Sequence, residues 1–319
     1  MAGAPTLEVL SPGILTTVQD LGRSGYARWG VAASGAVDAL AARAANRLVG
    51  NPEGSAVLET TLMGLRVRVL RDTRLAVCGG DLGAKLDGET LPLWKTIAAR
   101  AGQILSFTGP CWGLRACLAV GGGIDVPEVL GSRSTNLASG FGGLQGRALR
   151  KGDVLAAGEP QPSGPEREFD PAAAGYEGPP WRLRILWGPQ DEVLDEQGRE
   201  RLLGAVFTVS PDSDRTGIRL EGTTVPVRPG APDSIISEGI IAGAIQLPAD
   251  GRPIIVLAET ASGGYRKPAT VIAADLHKLG QIMPGDEVRF AAVTLEEAVA
   301  LLRGREEAFR AAFRPPLPG

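Results

Sequence analysis

Apolar residues along the chain fall mostly in short runs rich in Val, Ile and Leu, each cut off by Gly, Pro or Asp. The runs Leu65–Leu70, Arg74–Cys78, Leu114–Val120, Arg182–Trp187, Val206–Val209, Ile254–Ala258 and Val288–Ala292 read as strands of closed or sandwiched antiparallel sheets. A content of 44 glycines fits the many tight turns such sheets need. Two stretches carry helical spacing instead. From Gly35 to Val49 the apolar positions Val37, Leu40, Ala41, Ala44, Ala45 and Leu48 share one face, with Ser34 as N-cap and Gly50-Asn51-Pro52 as the stop. Near the end, Thr294 with Glu297 reads as a capping box, and Leu295, Val299, Leu302, Phe309 and Phe313 form the expected buried stripe. The expected architecture is mainly β, with a few helices covering barrel or sheet openings.

The stretch from Pro160 to Pro180 is crowded with Pro and Gly and reads as a linker, which divides the chain into a first domain over residues 1–160 and a second over 181–319. Each half closes on a similar phrase, Lys151-Gly152-Asp153-Val154-Leu155 and Pro284-Gly285-Asp286-Glu287-Val288, with a looser echo at Ala101-Gly102-Gln103-Ile104. A turn glycine followed by a polar residue and alternating apolar positions is one way a chain starts a strand.

Composition narrows the function. A chain of 319 residues, 44% hydrophobic, carries a net charge of -3 and no Lys/Arg run, which argues against nucleic acid as a partner. The longest apolar stretch, near Ile235–Leu247, carries Glu238 and is too short for a bilayer, so no membrane role and a cytoplasmic location are expected. Cys78, Cys111 and Cys117 lack metal-site spacing and read as small buried hydrophobes, and no metal site is expected. The single histidine, His277, is read as a surface or half-buried structural residue, which leaves acid–base work to carboxylates, Lys or Tyr.

Four polar clusters remain as candidates. Thr16-Thr17-Val18-Gln19-Asp20-Leu21-Gly22-Arg23 precedes Ser34-Gly35, where helix-start amides and Arg23 could hold an anion, or Asp20 and Arg23 could simply brace the loop. Gly121-Gly122-Gly123 leads to Arg133-Ser134-Thr135, donors for an acidic ligand or plain turns between strands. Asp212-Ser213-Asp214-Arg215 could supply bases or close into a self-satisfied turn. Ser262-Gly263-Gly264-Tyr265-Arg266-Lys267 offers bare backbone beside a phenol, a guanidinium and an amine.

Together these clusters carry a likeness. The segments Gln19-Asp20-Leu21-Gly22-Arg23, Ser34-Gly35-Ala36-Val37-Asp38, Gly121-Gly122-Gly123-Ile124-Asp125, Gly131-Ser132-Arg133-Ser134, Ser210 to Gly217 and Ser237-Glu238-Gly239 to Tyr265, in this order, resemble the biotin-dependent carboxyltransferase family that includes the C-type component of 5-oxoprolinase, KipA-type proteins and allophanate hydrolase subunit 2-like proteins. The resemblance implies two cyclophilin-like β-barrel subdomains. It further implies one component of an ATP-dependent 5-oxoprolinase that opens 5-oxo-L-proline to L-glutamate, with a KipI-type protein and a LamB/YcsF-type protein as the other two components. No cofactor is expected on this chain alone, and ATP is used by the complex. Two alternatives stay open: the carboxyltransferase component of a urea carboxylase-like system, with biotin on a partner, and a regulatory KipA-type protein that binds a kinase inhibitor. The chain departs from the family in carrying Ala261-Ser262 before the paired glycines and Arg266 after the tyrosine.

On chemistry and motif together, Asp20, Asp214 and Lys267 are the expected catalytic groups, for water or proton handling and for stabilising negative charge. The expected substrate-binding positions are Arg23, Ser34, Gly35, Asp38, Arg133, Ser134, Arg215, Glu238, Gln246, Gly263, Gly264 and Tyr265, with Arg23 or Arg215 on a substrate carboxylate and the Gly263 and Gly264 amides on the carbonyl of a small cyclic amide.

Overall fold

A computed structural model describes residues 3–159 and 167–314 of the chain. It is mainly β and divides into two compact units, one comprising residues 1–24, 34–175 and 308–319, the other residues 25–33 and 176–307.

In the first unit most strands form two antiparallel sheets. The larger runs in the order Val154–Ala157, Ala4–Pro12, Leu65–Val69, Ile104–Phe107, Ala84–Leu86 and Glu89–Thr90. The smaller runs Leu15–Gln19, Val57–Thr61, Trp112–Val120, Thr73–Asp81 and Ile97–Ala99. Alternation decides which residues turn inward: Leu7, Val9, Leu65, Val67 and Leu105 of the first sheet and Leu58, Leu75, Val77 and Leu118 of the second join one continuous core. Helix α1, Ala39–Val49, lies on strands Thr73–Asp81 and Trp112–Val120 through its small face of Ala41, Ala42, Ala44 and Ala45.

Helix α1 starts four residues later than its apolar spacing predicts. Ser34 has a φ of 53° and cannot be the cap of a right-handed helix. The cap is Asp38, whose Oδ1 accepts from the Ala41 amide at 2.8 Å.

The supposed linker is partly built into this unit. Residues 160–166 lie outside the described residues, but strand Glu168–Phe169 pairs with Phe313–Arg314, and a short 3-10 helix covers Pro171–Ala174. Phe169 is fully buried, with ring centroids 5.2 Å from Trp94, 5.5 Å from Phe309 and 4.9 Å from Phe313. The Arg43 guanidinium lies 4.3 Å from the Phe309 ring centre. Pro and Gly rule out helix interiors and central strands, yet they leave room for this two-stranded edge and its aromatic anchor.

The second unit contains a closed barrel of seven strands in the order Trp181–Trp187, Arg266–Val271, Ala244–Leu247, Ile254–Val256, Gly217–Gly222, Phe207–Val209 and Glu287–Ala292. Six neighbouring pairs are antiparallel, and the seam between Trp181–Trp187 and Glu287–Ala292 is parallel. Helix α2, Glu196–Gly204, packs against Glu287–Ala292 and escaped the apolar pattern because only Gly198 and Leu202 of its residues are buried. In helix α3, Leu295–Ala311, the capping box forms as expected: the Thr294 amide donates to Glu297 Oε2 at 2.8 Å and the Glu297 amide to Thr294 Oγ1 at 3.2 Å. The expected stripe does not. Leu295, Val299 and Leu302 are exposed and Phe313 lies beyond the helix in a strand; of the expected positions only Phe309 is fully buried, and Ala298 is buried as well.

The repeated phrases fold alike. At each one a glycine with φ near 90° ends a reverse turn and bonds back to the neighbouring strand: Gly102 to Val69 O at 2.7 Å, Gly152 to Val9 O and Gly285 to Val209 O at 2.8 Å. The next residue's side chain then accepts from the amide three positions earlier, Gln103 from Arg100 at 2.8 Å, Asp153 from Arg150 at 2.7 Å and Asp286 from Met283 at 2.9 Å.

Two side-chain expectations need correction. Cys78 and Cys117 are buried, but Cys111 is exposed. His277 is buried against the Tyr176 ring and the Arg305 guanidinium, beside an ion cluster centred on Asp275. There Arg184 donates Nε and Nη2 to the Asp275 carboxylate at 2.9 and 2.6 Å, and Lys278 Nζ lies 3.3 Å from it. Burial alone would raise the Asp275 pKa, but the Arg184 hydrogen bonds and the nearby cations outweigh it and hold it below the usual carboxylate range.

Two outcomes follow. Phe309→Ala removes a ring packed upon by Phe169, Phe313 and the Arg43 and Arg47 guanidiniums, and should lower the urea-measured unfolding free energy by about 3–5 kcal/mol. Because the folded Asp275 pKa is depressed, its stabilisation is complete above the ordinary carboxylate pKa and is lost as pH falls through the lower folded value. Urea midpoints should therefore drop on acidification below the ordinary carboxylate range, and less steeply in Asp275→Asn.

Candidate functional site

Most of the expected second-half residues meet at one cavity of about 450 Å³ in the barrel unit. Strands Ala244–Leu247, Ile254–Val256 and Gly217–Gly222 supply Gln246, Ile254, Val256, Gly217 and Arg219, and the loops add Asp214, Thr216, Thr260, Ser262, Gly263, Gly264 and Tyr265. Of the residues expected from sequence, Asp214, Gln246, Gly263, Gly264 and Tyr265 line it.

The glycine wall is a two-stranded ribbon in which Glu238 pairs with Gly263 and Gly239 with Ser262. A Cβ at Gly263 would run into Gln246 Nε2, so the bare glycine lets that side-chain amide lie against the ribbon, and a larger residue would push it aside. The ribbon is tied to the barrel by three residues. Lys267 Nζ sits 2.6 Å from Glu238 Oε1, Gln190 Nε2 donates to the same oxygen at 2.8 Å, and Gln190 Oε1 accepts the Lys267 backbone amide at 3.0 Å. The Lys267 ammonium, then the Gln190 amide, hold the Glu238 carboxyl below its ordinary range. Lys267 is thus already neutralised as a clasp and does not offer a bare charge to a ligand. Gln190 has no signature in sequence, since it acts on a strand 77 positions away.

Arg215 does not reach the cavity wall. It is buried, with Nε 3.2 Å from Glu259 Oε1. Arg219 lines the cavity instead. Asp214 adopts the self-satisfied turn in part: its Oδ1 accepts from the Thr216 and Gly217 amides at 2.6 and 3.2 Å. Arg266, the departure from the family pattern, is buried and donates Nε and Nη2 to the Leu247 and Pro248 carbonyls, each at 3.3 Å, so it braces strands.

In the first unit, Asp20, Arg23, Ser34, Gly35 and Ser134 form a second buried cluster. Asp20 Oδ1 accepts from the Gly22 amide and the Ser132 hydroxyl, both at 2.7 Å, and from the Ser134 hydroxyl, while Oδ2 accepts from the Arg133 amide at 2.6 Å. With four donors on one carboxylate, Asp20 ties two loops together, the bracing role rather than that of a base. Ser132 was the partner not foreseen. Arg23 Nη2 donates to Ser134 O at 2.6 Å and its guanidinium lies 4.7 Å from the Phe141 ring centre. The Gly35 amide donates to Gln19 Oε1 at 3.1 Å and Val37 to Glu59 Oε2 at 2.7 Å. Arg133 is held by Val126 O at 2.8 Å and by Glu128 and Asp125 at 2.9 and 3.5 Å, which makes it a loop brace. Asp38 is spent as the helix cap.

Among the described residues no group of three His, Cys, Asp or Glu could hold a metal ion, and no helix is long and apolar enough to cross a membrane.

Comparison with known proteins gives a consistent answer. The chain is 36% identical over 306 residues to the C-type component of the Escherichia coli 5-oxoprolinase, covering 95% of this chain and 96% of that protein. It is 37% identical to a putative urea carboxylase of Emericella nidulans, but spans only 25% of it. The crystal structure of the K. lactis urea amidolyase matches 99% of this chain with a TM-score of 0.87 at 30% identity, over 21% of its own length. A profile of the carboxyltransferase domain, subdomain A and B, matches residues 29–292, so the chain belongs to that carboxyltransferase-domain family.

Proposed function

We propose that the chain is the C-type component of an ATP-dependent 5-oxoprolinase, opening 5-oxo-L-proline to L-glutamate in a complex with a KipI-type protein and a LamB/YcsF-type protein. The observation that carries this reading is the polar cavity of about 450 Å³, walled by an amide side chain, bare glycine backbone, a phenol, a carboxylate and a guanidinium. That size lies within the range of about 300–1,000 Å³ usual for small-molecule sites. The two-way coverage with the Escherichia coli protein favours this reaction over the others.

A lactam resists water because its nitrogen donates into the carbonyl. ATP spent by the complex would convert the carbonyl oxygen into a phosphate leaving group. Water then adds to the carbonyl carbon, the C–N bond breaks and the nitrogen takes up protons to become an ammonium group, which leaves an acyl phosphate; a second water then displaces phosphate and leaves the carboxylate. In this chain Arg219 would hold the substrate carboxylate, and Gln246 and the Gly264 amide would hold the lactam edge and carbonyl oxygen. Asp214, whose Oδ1 is occupied by two turn amides, would handle the proton through its other oxygen. Glu238, Lys267 and Gln190 would act by positioning the glycine wall, and Asp20 by fixing its own loops.

A second reading is a carboxyltransferase component acting on a urea-like acceptor, favoured by the likeness to the Emericella nidulans and K. lactis proteins. The ureido ring of biotin presents the same amide edge as a lactam, so Gln246 and Gly264 suit it, and a partner's biotin would supply the carboxyl group.

In the reconstituted complex, Asp214→Asn should lower kcat for ATP-dependent glutamate formation about 100-fold, and Gln246→Leu should lower kcat/KM about tenfold. Avidin should leave turnover unchanged, whereas it would block the second reading. Normal turnover in both variants would remove the cavity from the mechanism.

A further inference from the structure

Beside the cavity just described lies a second one of about 260 Å³, and the two share Arg219, Ile254 and Tyr265 as walls. Its lining differs sharply in charge. Asp212, Glu221 and Asp250 stand around it with Arg219 and Arg252, three carboxylates and two guanidiniums. Among the described residues, none of these five comes within 4.0 Å of an opposite charge. Elsewhere in this unit charges are matched directly, as Arg215 with Glu259 and Arg184 with Asp275. The carboxylates here are steadied by neutral groups instead: Glu221 Oε1 accepts the Ser210 hydroxyl at 2.6 Å, and Asp250 Oδ1 accepts the Arg252 amide at 3.1 Å. Tyr265, 44% exposed, closes part of both cavities.

Charges of both signs held around a concavity without pairing suit a ligand that carries both signs itself. We infer that this second cavity is a subsite for the zwitterionic end of a free α-amino acid, with the ammonium group on Asp212, Glu221 and Asp250 and the α-carboxylate on Arg219 or Arg252. Its occupant, if the reaction proposed above is correct, is the product L-glutamate. The lactam has no ammonium group and gains nothing from the acidic wall. Ring opening creates one, while the α-carboxylate is unchanged. Arg219, common to both cavities, can then keep that carboxylate as the new ammonium turns toward the carboxylates, drawing product out of the reacting cavity.

The test is isothermal titration calorimetry of the full chain with L-glutamate, with glutarate, which differs only in lacking the amine, and with 5-oxo-L-proline. L-Glutamate should bind at least about tenfold tighter than glutarate. Asp212→Asn combined with Glu221→Gln and Asp250→Asn should bring the two within about twofold, and Asp250→Asn alone should give an intermediate preference, with 5-oxo-L-proline affinity unchanged as the check on folding. Equal affinity for glutamate and glutarate in the unaltered chain, no binding of either, or a preference that survives the triple substitution would overturn the inference. If 5-oxo-L-proline fails to bind while the preference for the amine remains, the assigned reaction falls and the amino-acid subsite stands.

Discussion

Seven strands closed into a ring cannot alternate direction all the way round, and at least one neighbouring pair must run parallel. In the barrel unit that pair is Trp181–Trp187 with Glu287–Ala292, joined in register over five positions from Trp181 opposite Val288 to Ile185 opposite Ala292. The consequence reaches the candidate site. Strands Ala244–Leu247, Ile254–Val256 and Gly217–Gly222, which wall the larger cavity, sit across the ring from this seam and keep an uninterrupted antiparallel ladder. Side chains on that stretch are therefore fixed by strand pleat, with Gln246 and Arg219 presented by pairing and not by loop conformation.

A second constraint sorts the charged residues. A buried ion needs a partner close by, since leaving water unpaired costs several kcal/mol. Arg215 meets it with Glu259 and Arg184 with Asp275, and the buried Asp20 carboxylate meets it with four hydrogen-bond donors. Much of the polarity that marks the chain's loops thus holds the loops in place. What faces the cavities is a smaller set, and Lys267 shows the overlap, since its ammonium both neutralises Glu238 and pins the strip of backbone that walls the larger cavity.

The strands were legible because Val, Ile and Leu runs cut by Gly and Pro have few other uses, and the capping box of α3 was legible because both of its members are local. Errors came where sequence proximity misleads. Ser34 looked like a cap until its positive φ excluded it, and the polar surface of α2 hid a helix. Choosing Arg215 over Arg219 missed the pleat: a long-range partner, Glu259, claims the first guanidinium, while the second stands on the cavity-facing strand. Gln190 and Ser132 act over 77 and 112 positions, beyond anything spacing can reveal.

The thrice-used glycine turn shows how little chemistry a strand start requires. Gln103 performs in one copy what Asp153 and Asp286 perform in the others, so the device needs an oxygen acceptor of suitable reach and no charge. Such a hinge is spelled out within four consecutive residues and borrows only one neighbouring strand, which makes it portable: wherever a β chain must reverse onto an existing ladder, the same few side chains can be written in without redesigning the sheet that receives it.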